Sequence, residues 1–251
     1  MKFKPPMKRY SFLNTATVFI VSIFAVSVHA QDTDDLDFFT DSDVRKSILG
    51  VEGIFTPNIT NANVLEELPL ILGDDTTLIS TNNRAGFGMD YGVGAMLSPN
   101  GSLDFRVGIR RGVYQFNYDA VELVDENASE TELSDGSVRV IYLNVPIQMA
   151  FHQRVGDFLE LEYGLGVILN FLQSYEFEMR NVIALDRTEL ANPNNLTLAV
   201  HLGANIVLND RLSIPFTPNF SYLFQTLVPT GSQNREAIYT LGFTTGIRYR
   251  L

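Results

Sequence analysis

The sequence predicts an all-β protein, an eight-stranded antiparallel up-and-down transmembrane β-barrel, and three observations predict it. Gly86-Phe87-Gly88-Met89-Asp90-Tyr91-Gly92-Val93-Gly94-Ala95-Met96-Leu97 is apolar at every odd position and mostly Gly or Asp at the even ones, so one strand face suits lipid and the other a crowded interior. Stretches of this kind recur eight times, joined alternately by long polar segments and very short turns. The chain also opens with a basic, then apolar segment of the export type, and beyond it no run is long enough for a membrane helix. If the protein is integral, the spanning element must therefore be a closed barrel. A soluble β-sandwich strand alternates too; repetition at spanning length together with an export signal separates the two readings.

Lys2, Lys4, Lys8 and Arg9 precede an almost uncharged run from Phe12 to Val28, and Val28-His29-Ala30 offers small residues for cleavage. Residues 1–30 read as a cleaved secretory signal peptide, with an uncleaved anchor helix as the alternative. Residues 31–45 form an acidic lead with Asp32, Asp34, Asp35, Asp37, Asp41 and Asp43 around Phe38 and Phe39, expected to be a flexible periplasmic segment. The barrel is assigned to residues 46–251.

Strand one is expected at about 46–56 and strand two at about 86–98. Pro99-Asn100-Gly101 then turns the chain into strand three, about 102–118. There Leu103, Phe105, Val107 and Ile109 share one face, while Tyr114, Phe116 and Tyr118 have the opposite parity. A bulge near Arg110-Arg111-Gly112 is expected to restore the alternation. Strand four, about 138–152, turns Ile141, Leu143, Val145, Ile147, Met149 and Phe151 outward. In strand five Leu159, Leu161, Tyr163, Leu165, Val167, Leu169 and Phe171 form an unbroken outward row. Strand six, about 196–208, and strand seven, about 212–224, follow; Pro215 and Pro218 lack the N–H a ladder needs and weaken strand seven. Strand eight, about 237–251, carries Tyr239, Leu241, Phe243, Ile247 and Tyr249 outward. Long connections are expected at 57–85, 119–137, 173–195 and 228–236, outside the cell, with the short turns on the periplasmic side.

This parity points Glu52, Asp90, Asp104, Arg106, Arg110, Glu160, Glu162, His201, Arg248 and Arg250 into the lumen, with Gln148, Asn170 and Asn205. Eight strands enclose room only for side chains, so opposite charges there should pair and plug it; a narrow or gated ion path is the competing reading.

Without the signal, 14 of the 18 basic residues remain against 29 acidic ones, a formal charge of −15, which argues against a nucleic-acid partner. There is no Cys, so neither a lipid-anchored N-terminal Cys nor a disulfide framework exists. Only Lys46 represents lysine in the mature part, beside thirteen arginines, a bias suited to planar ion pairing in a confined space. His152 and His201 are the mature histidines, and neither sits in a metal-ligand spacing. An outer-membrane lipid-modifying enzyme would need a Ser-His-acid set near the outer rim, where no His is expected. No catalytic, cofactor or metal residues are assigned. The segment 119–137 carries Asp119, Glu122, Asp125, Glu126, Glu130, Glu132 and Asp135 without a basic residue, a solvated acidic loop or a chelator of the divalent cations that bridge lipopolysaccharide.

Tyr142-Leu143-Asn144-Val145-Pro146-Ile147-Gln148-Met149 resembles the Tyr-Leu-x-Ile/Val-Pro-Leu/Ile strand motif of the PorT-like outer-membrane β-barrel proteins of the Bacteroidota. Leu161-Glu162-Tyr163-Gly164-Leu165-Gly166 resembles that family's following Gly-rich strand, and the resemblance covers residues 46–251. The chain departs from the commoner aromatic ending, closing with Tyr249-Arg250-Leu251. The resemblance implies an integral outer-membrane barrel, without an established activity in most members and an accessory of protein secretion or gliding in some; it supplies no catalytic residue set. Pro146 itself, lacking an N–H, is expected to mark a bulge or an opened ladder position. The expected protein is a non-enzymatic monomeric anchor whose outer loops contact an envelope or secretion-system protein, or the outer-membrane lipid and lipopolysaccharide. The barrel-insertion machinery would place it there. A small-solute channel is the remaining alternative.

Overall fold

The computed structural model describes residues 48–66, 70–71, 76–80, 83–100, 102–125, 132–156, 158–179, 182–186, 188–225, 227 and 235–251. The signal segment, the acidic lead and the carboxylate side chains at 119–135 lie outside what is described.

Eight long strands build the fold: β1 (Ile48–Glu66), β4 (Asn83–Asn100), β5 (Leu103–Asp125), β6 (Glu132–Arg154), β7 (Leu159–Met179), β9 (Asn194–Val207), β10 (Leu212–Leu223) and β11 (Arg235–Arg250). Each pairs antiparallel with the next, and β11 returns to β1 through pairs such as Glu52 with Arg248 and Ile59 with Leu241. That last pairing closes the sheet into an eight-stranded up-and-down barrel and removes its edges. Three short strands extend the long-loop end: β2 (Leu70–Ile71), β3 (Thr76–Ser80), which pairs with β5, and β8 (Val182–Asp186), which pairs with β7.

The short turns lie between β4 and β5, β6 and β7, and β9 and β10. Asn100 pairs with Leu103 across the first. Gly156 occupies the second at φ 87°, a left-handed conformation that glycine adopts without a Cβ penalty. In the third, Asn209 Oδ1 accepts from the backbone N–H groups of Arg211 and Leu212, both at 2.9 Å, an Asx-type closure.

The outside is apolar where lipid would lie. Leu49, Val51, Phe55 and Ile59 on β1, Phe87, Tyr91 and Val93 on β4, and Leu161, Tyr163 and Leu165 on β7 are all exposed. Along β1 the belt occupies residues 49–59 and ends at Asn61, matching the roughly 9–11 residues with which a tilted strand crosses a bilayer. Aromatic pairs sit within it, Phe151 against Tyr163 at 5.5 Å and Phe216 against Phe243 at 5.8 Å between ring centroids.

Several sequence expectations need correction. The bulge expected at Arg110-Arg111-Gly112 is absent: β5 keeps one register with β6 from Arg110 opposite Asn144 to Tyr118 opposite Gly136. Tyr114 and Phe116 therefore face inward and are buried; the chemistry of the interior changes along the strand, not the facing. Parity changes occur in β7, where Ile141 opposes Ser174 but Tyr142 opposes Leu172, leaving Gln173 as the extra residue, and in β4, where Ala85 opposes Phe116 but Met89 opposes Val113. The segments 57–85, 119–137 and 173–195 are not loops throughout, because β1 runs to Glu66, β5 to Asp125, β6 begins at Glu132 and β7 runs to Met179. With 23 residues each, β5 and β6 project beyond a bilayer by about half their length. Ile141, expected on the outside, is covered to 7% exposure. Pro215 and Pro218 are both carried inside β10, Pro215 opposite Asn205 and Pro218 opposite Phe243. Pro146 makes no bulge. Its register with β7 is continuous, and no pair is formed with Gly108 on the β5 side, the opened ladder position that a residue without an N–H allows.

Candidate functional site

The interior is the one place where side chains of all eight strands converge, and it has three levels. Near the short turns lies an ion-pair cluster. Glu162, on β7 and fully buried, accepts from Arg106 Nη1 at 2.8 Å and Nη2 at 3.0 Å, a two-pronged pairing that matches guanidinium to carboxylate geometry. Arg248 Nη1 also donates to Glu162, and its Nε reaches Glu52 Oε2 at 3.1 Å. Asn205 contributes Nδ2 to Glu162 at 2.8 Å and accepts from Arg248 Nη1 at 2.6 Å. Glu162 thus bridges two guanidiniums from strands that do not neighbour β7, and Glu52 and Asp104 supply the further negative charge that compensates the desolvation burial imposes on each.

Below it, Asp104 accepts from Arg106 Nη2 at 3.0 Å and from Ser98, and its Oδ2 lies 2.8 Å from His152 Nε2. Arg250 Nη2 reaches Glu160 at 3.3 Å. Ser98, Asp104 and His152 include the residue types of a catalytic triad in the wrong order. Ser98 donates to the carboxylate, whereas nucleophilic activation requires the hydroxyl to donate to the imidazole.

The middle level is neutral apart from Asp90. Its carboxylate accepts from Tyr114 Oη at 2.7 Å, Asn144 Nδ2 at 2.9 Å and Asn58 Nδ2 at 3.2 Å. The network continues from Asn170 Nδ2 to Asn144 Oδ1 at 2.8 Å and from Thr197 Oγ1 to Asn170 Oδ1 at 2.7 Å. Between the ion-pair cluster and this level lies a cavity of about 40 Å³, lined among others by Glu52, Asp90, Arg110, His201 and Thr217. Arg110 is the most loosely held guanidinium there, 3.3 Å from Gln148 Oε1 and 3.5 Å from Glu52. A polar space of this size takes one or a few waters.

The top level is apolar. Phe116, Val138, Val140, Tyr142, Tyr175, Phe177, Leu223 and Ile238 pack with Ala62, Ala191 and Leu227 into one cluster. Tyr114 and Tyr142 meet at 6.0 Å with rings tilted by 56°, and Tyr142 Oη accepts from Asn195 Nδ2 at 2.9 Å. Buried aromatic hydroxyls are thereby satisfied at the boundary between the polar and apolar levels.

Every residue assigned to the lumen from the sequence alternation is found there: Glu52, Asp104, Arg106, Glu160, Glu162, Arg248, Asn170 and Asn205 are buried, Asp90, Arg110, Gln148 and His201 line the cavity, and Arg250 joins through Glu160. His152, expected only near a turn, belongs to the cluster too, and His201 Nε2 lies 3.3 Å from Glu162. Sequence reasoning did not find the apolar level. Among the described residues no group of His, Asp and Glu has the arrangement of a metal site.

No family model matches the chain, and no curated protein matches it. Among solved structures it is similar to Neisserial surface protein A, with 11% identity over 82% of this chain and 100% of that one and a TM-score of 0.46. It is also similar to the outer membrane protease OmpT from Escherichia coli, with 9% identity, 84% and 99% coverage and a TM-score of 0.41. The outer membrane protein OprG from Pseudomonas aeruginosa gives 11% identity, 83% and 97% coverage and a TM-score of 0.35.

Proposed function

We propose that this chain is a non-enzymatic, integral outer-membrane anchor that presents its projecting strands and long loops to a partner in the cell envelope. The observation that carries the reading is the filling of the barrel. Charged side chains pair across its lower half, an apolar cluster occupies its upper half, and the cavity between them is about 40 Å³, far below the several hundred Å³ of a typical ligand site. Function is then left to the end that projects. The export-type N-terminus and the exposed apolar belt support insertion in the outer membrane with the long loops outside. The motif around Pro146 favours an accessory of protein secretion or gliding as the specific role.

The test compares the wild-type protein with a variant in which residues 119–135 are replaced by an Asn-Gly turn. That deletion keeps Tyr118 and Gly136, partners in the β5–β6 ladder, joined by a tight hairpin connection. Both proteins are affinity-purified from outer membranes in mild detergent, and co-purifying proteins are identified by mass spectrometry. A specific envelope protein captured by the wild type and lost with the hairpin supports the reading. Identical recovery of partners by both, or none with the wild type, contradicts it.

A further inference from the structure

Arginine is distributed unevenly over this barrel. Arg106, Arg110, Arg248 and Arg250 face the interior, and Arg154 and Arg211 stand at short turns. The remaining described arginine side chains, Arg84, Arg111 and Arg139, are exposed on three adjacent strands, β4, β5 and β6. Arg84 pairs with Asn117 and Arg139 with Gln115, so both stand on the face to which Arg111 belongs. All three lie at or just above the upper edge of the apolar belt.

Arg111 is the informative one. It is exposed, lies between Ile109 and Val113 on its own strand, and is flanked by Tyr91 on β4 and Leu143 on β6. Among the described residues it is the one charged side chain on the outward face within the belt. A cation so placed is costly in hydrocarbon and is retained where its stem can lie along apolar surface while its head reaches the interface. Arg139 makes only a 4.0 Å approach to Glu176, with both side chains well exposed, an interaction of small worth that leaves guanidinium donors to spare.

We propose that Arg84, Arg111 and Arg139 form a binding site for the phosphorylated headgroup of an outer-leaflet lipid. Guanidinium groups pair bidentately with phosphate oxygens, and the apolar neighbours of Arg111 provide the adjoining acyl-chain surface. Gln115 and Asn117 stand four and six residues beyond Arg111 on β5, roughly 14 and 20 Å along the strand. The spread suits a headgroup with more than one phosphate better than a free phosphate ion. The chain as a whole is acidic, so this cluster is a local exception to its charge.

This inference rests on the membrane reading above, and the experiment separates the two. The mature protein is inserted into phosphatidylcholine nanodiscs, and its affinity is measured for bis-phosphorylated lipid A and for the same lipid with both phosphates removed. Heat-modifiable gel mobility and detergent-dependent extraction test insertion of the wild type independently of any lipid binding. Binding at least tenfold weaker without the phosphates is expected. Arg111→Gln and Arg139→Gln are each expected to weaken binding of the intact lipid roughly fivefold, Arg111→Lys much less, and Arg154→Gln at the opposite rim not at all. Equal affinity of the wild type for the two lipids, or wild-type affinity in both Gln variants with folded mobility, overturns the proposal. The lipid comparison on the wild type decides the matter even if a variant fails to fold.

Discussion

The lower and upper halves of the barrel interior solve the same packing problem with opposite chemistry. Both are enclosed by the same eight strands. Below, Glu162, Arg106, Arg248 and Glu52 fill the space with charges that are tolerable only as a set; above, Phe116, Val138, Val140 and Phe177 fill it with groups that need no particular partner. The lower half is therefore sensitive to the identity of each group and the upper half to its volume.

Glu162→Ala is expected to have the largest effect. It strands Arg106 and Arg248 in a buried site, at about 3–5 kcal/mol, read as a lower urea midpoint of the folded, heat-modifiable gel band. Glu162→Gln keeps the shape and loses the charge, so it is expected to recover little. Phe116→Ala should cost about 3 kcal/mol through cavity formation, and here Phe116→Leu should recover most of the loss by the same gel assay. If Glu162→Gln proved as harmless as Phe116→Leu, the contrast between the halves would fail.

Gly164→Ala tests close approach in the lower half. A Cβ there would lie 2.6 Å from the His201 ring and closer still to the Met149 carbonyl, so a loss of about 1–3 kcal/mol is expected. Tyr142→Phe removes the bond from Asn195 at the boundary of the two levels and should cost about 1 kcal/mol, the smallest change of the series, measurable by the same titration.

Much of the lower half was legible in the sequence because charge and apolarity alternate strictly there. Asp104, Arg106, Glu160 and Glu162 stand at even positions between large apolar residues, and period two then assigns every face. The upper half was not legible, since above the lipid the outward face no longer has to be apolar while the inward face does. Tyr114 and Phe116 then look like outward residues displaced by a bulge at Arg110-Arg111-Gly112, although β5 runs through them in one register with β6 and they face inward. Phe171 and Tyr175 show the converse. They share odd parity, but Gln173 is inserted between them and Tyr175 turns inward. Parity of aromatics alone cannot distinguish a change of facing from a change of interior chemistry. Asn61, a polar outward residue above the belt, reads as loop for the same reason, although the β1–β11 ladder continues through it.

The central claim is that paired charges and the apolar cluster together close the barrel. Its most direct test is the ionic conductance of the wild-type protein in planar lipid bilayers, with folding verified by heat-modifiable mobility. A steady current indistinguishable from that of the protein-free membrane is predicted. Reproducible unitary steps that scale with the amount of folded protein would contradict it and would assign the ion-pair cluster to a conduction path.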